Sequence, residues 1–255
     1  MGKSVRFILL AIEGIITIIL TVTLVHGISS AIEQGSWHIA RTHLLPSLIH
    51  LWVTMVVATL LCFFYRANIG AEARVLPTLF LMISLGNVKI FPLYHSVTTI
   101  LVLSPYAIAV LYHFSLLYSS FLFLGSAIFQ QTINPTRLSQ YSFAGAILAL
   151  FITILTPISI NQPSFLYEVS VTNTLFSSIC IIMNVLAALT FLVSMLDEQF
   201  SRHALGRSLA FILMITGNTM VTMSQRPFFN TLGLIFYLAG SITLLSVTRT
   251  YHVWV

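Results

Sequence analysis

Apolar runs about as long as a bilayer is thick follow one another from Phe7 almost to the C-terminus, and this repetition constrains the chain more than any other feature. A helix needs roughly 20 residues to cross the hydrocarbon core. Runs of that kind occupy Phe7–Ser29, Leu44–Tyr65, Pro105–Phe129, Ser142–Ile160, Thr172–Leu196, Ser208–Met223 and Phe228–Thr248. A helix satisfies its own backbone hydrogen bonds, so it can lie in lipid where water offers no partner. The expected fold is all-α, a polytopic transmembrane helix bundle.

Composition closes the soluble alternative. Of the 255 residues 58% are hydrophobic and 7% are charged, against about 25% charged in a soluble domain. Too few polar side chains exist to cover a water-facing surface. Residues 1–255 are expected to form a single transmembrane domain with no separate soluble domain, and the lipid bilayer is the expected partner. The formal charge of +5 does not point to nucleic acid, because the basic residues stand singly at the edges of apolar runs, as residues that orient spans do. Cys62 and Cys180 both lie inside apolar runs and show neither metal spacing nor a disulfide framework. The basic start Met1–Arg6, the apolar Phe7–Val25 and the small residues Ser29–Ala31 have the outline of a signal peptide. The apolar run is much longer than a signal peptide uses, so it is read as a retained first span.

The stretch Val75–Ser104 decides the span count. It opens with an apolar run and then reaches Gly86, Asn87, Lys89 and Pro92. Val75–Ile90 is read as a short span, and Phe91–Ser104 as a non-helical or re-entrant connection at the membrane surface. With eight spans and both termini cytoplasmic, Lys3, Arg6, Arg66, Arg74, Arg137, Arg202, Arg207 and Arg249 face the cytoplasm, and Arg41, Lys89 and Arg226 face outward. That is eight against three, the direction the positive-inside rule requires. A seven-span chain would place Arg137, Arg202, Arg207 and Arg249 outside. The expected location is a bacterial inner (plasma) membrane.

Connections are brief and carry turn chemistry at Asn134-Pro135, Asn161-Gln-Pro163 and Gln225-Arg-Pro227. The longest polar one, Leu196–Arg207, reads as a solvated cytoplasmic loop, with partner docking as its rival. Gly233 and Gly240 on the last span, and Ala144, Gly145 and Ala149 on the fifth, are read as surfaces for close helix approach.

Ionisable residues in hydrocarbon are costly, so each needs a reason. On this topology His26, His38, His43, His50, Lys89, His95 and His113 all fall in the outer half of the first four spans. His43 and His50 are seven residues apart and share a helix face. Imidazoles there either anchor the interface through hydrogen bonds or contribute to a shared ligand, metal or haem site. No His-x-x-x-His pair, zinc motif or haem-attachment motif supports the metal case. Glu13 sits about two turns inside the first span, read as either a proton or cation site or a protonated carboxyl bonded to Asn184 or Asn218. Its topology sets it near the opposite face from Lys89. The three asparagines Asn173, Asn184 and Asn218 are read as helix-to-helix glue.

Two functions follow. The first is a non-enzymatic module: a small-ligand sensing or transport-related subunit acting with a protein partner or as a homo-oligomer, with Glu13, His26, His43, His50, Lys89, His95 and His113 as candidate ligand-binding residues. The second is a haem- or metal-binding redox protein or enzyme, with His50 and His113 as metal ligands. No catalytic constellation stands out, so the first is preferred.

Overall fold

The computed structural model describes residues 3–64, 72–129, 135–157, 174–197, 202–224 and 226–252. The chain is built of α1 (Lys3–Glu33), α2 (Trp37–Ile39), a π-helical segment (Ala40–Leu44), α3 (Leu45–Phe64), α4 (Glu72–Gly86), a 3-10 segment (Asn87–Ile90), α5 (Phe91–Thr98), α6 (Pro105–Ile128), α7 (Pro135–Leu155), α8 (Thr174–Asp197), α9 (Arg202–Met223) and α10 (Pro227–His252). Joined end to end where they run on, these make, among the described residues, eight rods long and apolar enough to cross a membrane. The protein is therefore an integral membrane protein in contact with the bilayer.

Periodicity shows which side of each rod meets lipid. On α1 the buried side chains include Arg6, Glu13, Thr17, Leu20 and Leu24, at helical spacing, while Phe7, Ile8, Ile12, Ile15, Ile18, Ile19 and Val22 are exposed. The rod from Val75 to Thr98 is the opposite case. There 83% of the most apolar stretch is buried, against 22% in α1 and α7, so it is the axle of the bundle. Helices α1, α3 and α6 pack around α4. From α6 the chain of neighbours runs through α8, α9 and α10 back to α3, with α7 outside α6.

That axle corrects one expectation. The segment read as a surface connection is helical over Phe91–Thr98 and breaks only at Thr99, which takes a left-handed conformation (φ 61°). Pro92 stands in the first turn of α5, where its missing N–H has no intrahelical partner to lose. Pro135 and Pro227 likewise open helices, α7 and α10. The last span, read from Phe228, thus begins where expected, whereas the fifth, read from Ser142, begins about two turns earlier. The segment read as a polar loop from Leu196 to Arg207 is mostly helix, since α8 runs to Asp197 and α9 begins at Arg202; residues 198–201, with Glu198, lie outside the described residues. His38, Arg41 and His43 are also helical. Asn134, Asn161, Pro163, Asn173, Arg66 and Gln225 lie outside the described residues.

The two ends of the bundle are named below for Arg6 and His38. Helices α9 and α10 approach most closely. A Cβ on Gly217 would meet the backbone N of Tyr237 and lie 2.6 Å from the Gly233 oxygen; on Gly240 it would lie 2.7 Å from the Ala210 oxygen. Backbone cannot swing aside as a side chain can, so the pair depends on bare Cα atoms. The glycines read as packing positions at Gly233 and Gly240 do serve that purpose. We expect Gly217→Ala to destabilise the protein by roughly 1–3 kcal/mol, despite the gain in helix propensity. Gly14→Ala, whose Cβ would meet only the Met55 side chain at 3.5 Å, should be neutral or stabilising by up to about 1 kcal/mol. Thermal denaturation in detergent checks both.

Candidate functional site

The interior of the bundle is polar where the axle meets α1, α3, α9 and α10. Glu13 on α1 is only 1% exposed. Its Oε1 accepts a hydrogen bond from Ser84 Oγ on α4 at 3.2 Å. One turn on, the Asn87 amide Nδ2 reaches the Ser84 and Ile83 carbonyls at 3.3 Å each and His50 Nδ1 on α3 at 3.4 Å. The amide has two hydrogens for these three acceptors. When His50 Nδ1 accepts one, the ring proton sits on Nε2, a tautomer assigned by the contact.

The other face of His50 is covered by Tyr237 of α10, with ring centres 4.5 Å apart. Thr54 Oγ1 donates to the His50 carbonyl at 2.7 Å. Its hydrogen is thus used, so the Tyr237 hydroxyl donates to Thr54 Oγ1 across 3.0 Å. Seven residues earlier on each helix, Asn230 Nδ2 is 3.5 Å from both His43 Nδ1 and the Thr42 carbonyl. His43 and His50 therefore do share a face, and that face looks at α10.

Lys89 reaches the end of α9. Its ammonium donates to the Val221 carbonyl and, at 3.2 Å, to that of Thr222, which also accepts from the Tyr112 hydroxyl at 2.8 Å. The last carbonyls of a helix have no partner within it and form the negative end of its dipole. A fully buried lysine finds there the charge complement that hydrocarbon denies it. Lys89 also lies within electrostatic range of His43 and His50.

Two departures from α-helical backbone frame this core. His43 sits on the π-helical segment, and Asn87 and Lys89 sit on the 3-10 segment. Short π and 3-10 stretches inside longer helices recur at functional sites, and in membranes irregular backbone is tolerated where it faces a polar interior. Within the core, His50 Nε2, Asn87 Oδ1, Asn230 Oδ1 and Thr17 Oγ1 are buried with no hydrogen-bond partner among the described residues.

Of the seven candidate residues, Glu13, His43, His50 and Lys89 belong to this connected set. The other three do not. His26, exposed, shares a hydrogen bond of 2.9 Å with the Tyr94 hydroxyl. His95 is half-buried on α5, and His113 is buried between the rings of Tyr112 and Phe176. Glu13 bonds to Ser84 and not to Asn184 or Asn218; Asn184 donates to Thr219 Oγ1 at 2.9 Å and so joins α8 to α9. Nor do Glu13 and Lys89 stand near opposite faces. Ser84, which holds Glu13, is about one and a half turns from Lys89 on the same rod. His50 and His113, the pair of the metal reading, have different neighbours. Among the described residues no group of three or more His, Cys, Asp and Glu could hold a metal ion.

Sequence reasoning passed over Ser84, Asn87, Tyr112, Thr222 and Tyr237. For Tyr237 a signal existed: it stands deep inside the last apolar run, whereas interface tyrosines stand at run ends. Comparison with family models, with curated proteins and with solved structures finds no match.

Removing Lys89 takes the side-chain donor from the Val221 carbonyl and leaves that of Thr222 to Tyr112 alone. Lys89→Met is expected to lower stability by roughly 1–3 kcal/mol, and Tyr112→Phe by about 1 kcal/mol. Thermal unfolding of the detergent-purified variants measures both, and equal stability of Lys89→Met and wild type would contradict the capping role.

Proposed function

We propose that this chain is a transport-related module that takes a small polar solute into the core between Asn87, His50 and Lys89. The carrying observation is a mismatch. His50 Nε2, a donor in the tautomer set by Asn87, and Asn87 Oδ1, an acceptor, are both fully buried and unmatched among the described residues. Leaving one such group unmet costs roughly 1–3 kcal/mol. A solute that accepts from His50 and Lys89 and donates to Asn87 meets all three, so it carries both functions on one small frame, as an amino acid or a hydroxy acid does.

Charge supports entry from the His38 end facing away from the cytoplasm, since eight of eleven basic residues fall on the other side of the eight-span chain. Both termini are then cytoplasmic, and a bacterial inner membrane fits the same pattern. The sensing role remains the companion of the transport role, because both begin with solute capture in the bundle. A chain of short connections would act with a protein partner or with copies of itself.

Thermal-shift measurements on the purified protein with a panel of amino acids, small hydroxy acids and sugars test the reading. A fitting solute at 100 times its Kd raises stability by about 2.7 kcal/mol. That shift should vanish in Asn87→Leu and in His50→Phe. No shift with any member of the panel, or a shift that survives both substitutions, overturns the proposal. Orientation is checked separately: Ser36→Cys, in a chain with Cys62 and Cys180 replaced by serine, should react with an impermeant maleimide added outside intact cells.

A further inference from the structure

Glu13 has a second approach, from the opposite end of the bundle. Arg6, two turns earlier on α1 and 5% exposed, lines a cleft with Ala58, Leu61 and Cys62 of α3 and Pro77 and Phe80 of α4. The cleft lies between the same three helices that hold Glu13 and its neighbours, on the Arg6 side of Glu13. Glu13 thus stands between this cleft and the Ser84–Asn87–His50 contacts.

A carboxylate in such a place needs a counter-charge or a proton. Transfer of a bare carboxylate into an apolar interior costs far more than any one hydrogen bond returns. Among the described residues the partner of Glu13 is the Ser84 hydroxyl, and no basic side chain forms an ion pair with it. The groups around it are few. Arg6 lies on α1 itself, His50 and Cys62 on α3, Lys89 on the 3-10 segment and Tyr237 on α10; Cys62 and Tyr237 are within its electrostatic range. On α5, Tyr94 is engaged with His26, and His95 sits toward the His38 end. Thr17, one turn further along α1, is buried with an unmatched hydroxyl oxygen.

We propose that Glu13 is a proton-exchange site, loaded and unloaded through the Arg6–Cys62 cleft, and that its state is passed through Ser84 and Asn87 to His50. A hydronium ion in the cleft gives its proton to the carboxyl oxygen that Ser84 does not hold, leaving a water molecule and turning carboxylate into carboxylic acid. The reverse step returns it to water, and no other bond changes. The contacts from Ser84 through Asn87 make Glu13 part of the hydrogen-bond set that determines which Asn87 hydrogen is left for His50. Proton binding at Glu13 and solute binding at His50 are then coupled, and by linkage the coupling is reciprocal. The inference extends the solute reading by adding a proton to it, but its test uses no solute, so the two fail separately.

The test is infrared difference spectroscopy of the full chain in lipid as pH is stepped, in water and in D2O. The expected result is a C=O band of a protonated carboxyl in an apolar setting. It fades as pH rises, shifts in D2O, is missing in Glu13→Gln and is displaced in Glu13→Asp. The aspartate variant keeps the test informative where Glu13→Gln does not fold. The proposal is overturned by a band that persists in Glu13→Gln, by one that neither titrates nor shifts in D2O, or by the absence of any such band. A band that answers to added sodium chloride at fixed pH, and not to pH, replaces it with a cation site.

Discussion

The ammonium of Lys89 on the last carbonyls of α9 joins two parts of the bundle at the core where His50 and Thr54 of α3 also meet Tyr237 of α10. On one side stand α1, α3, α4 and α6, gathered around the axle; on the other stand α8, α9 and α10, linked by Asn184 and by glycine-to-backbone packing. Without Lys89 the middle of the axle would face the Val221 carbonyl with no side-chain donor on it. With it, the charge that hydrocarbon penalises and the helix end that hydrocarbon penalises answer each other. Tyr112 shares the Thr222 carbonyl and brings α6 to the same point. The polar core can exist because this junction holds its walls in register.

The fold was legible because its main cause is written in composition. Long apolar runs with few charges leave little besides spanning helices, and the eight rods follow from that. What misled was Pro135. It looks like a turn in sequence, and the fifth span was read only from Ser142, but a proline in a first turn costs a helix nothing, so α7 begins there. Histidine was the more visible signal for a site and the less selective one. His26, His38 and His95 lie toward the ends of their rods, and His113 packs among aromatic rings. The core is completed instead by Ser84, Asn87, Thr54 and Tyr237, residues that hydropathy treats as minor interruptions. Their importance depends on which helix lies opposite, and that is set by packing between segments far apart in the chain.

Backbone geometry marks the core more sharply than residue type. A π turn shifts the helical phase within the rod that carries His43 and His50, yet both rings still look at α10. A 3-10 turn does the equivalent for Asn87 and Lys89. Each turn alters the angular spacing of side chains by a fraction of a residue. Straight α-helical rods with the same sequences would spread these groups differently around their axes.

The Asn87 amide has a consequence of its own. With two hydrogens among three acceptors, the amide divides its donors between its own rod and the neighbouring one. One hydrogen shared by the adjacent Ser84 and Ile83 carbonyls leaves the other for the His50 ring. The tie between α3 and α4 at this level is then a single N–H bond, and the side chain that makes it is steadied from behind by its own helix.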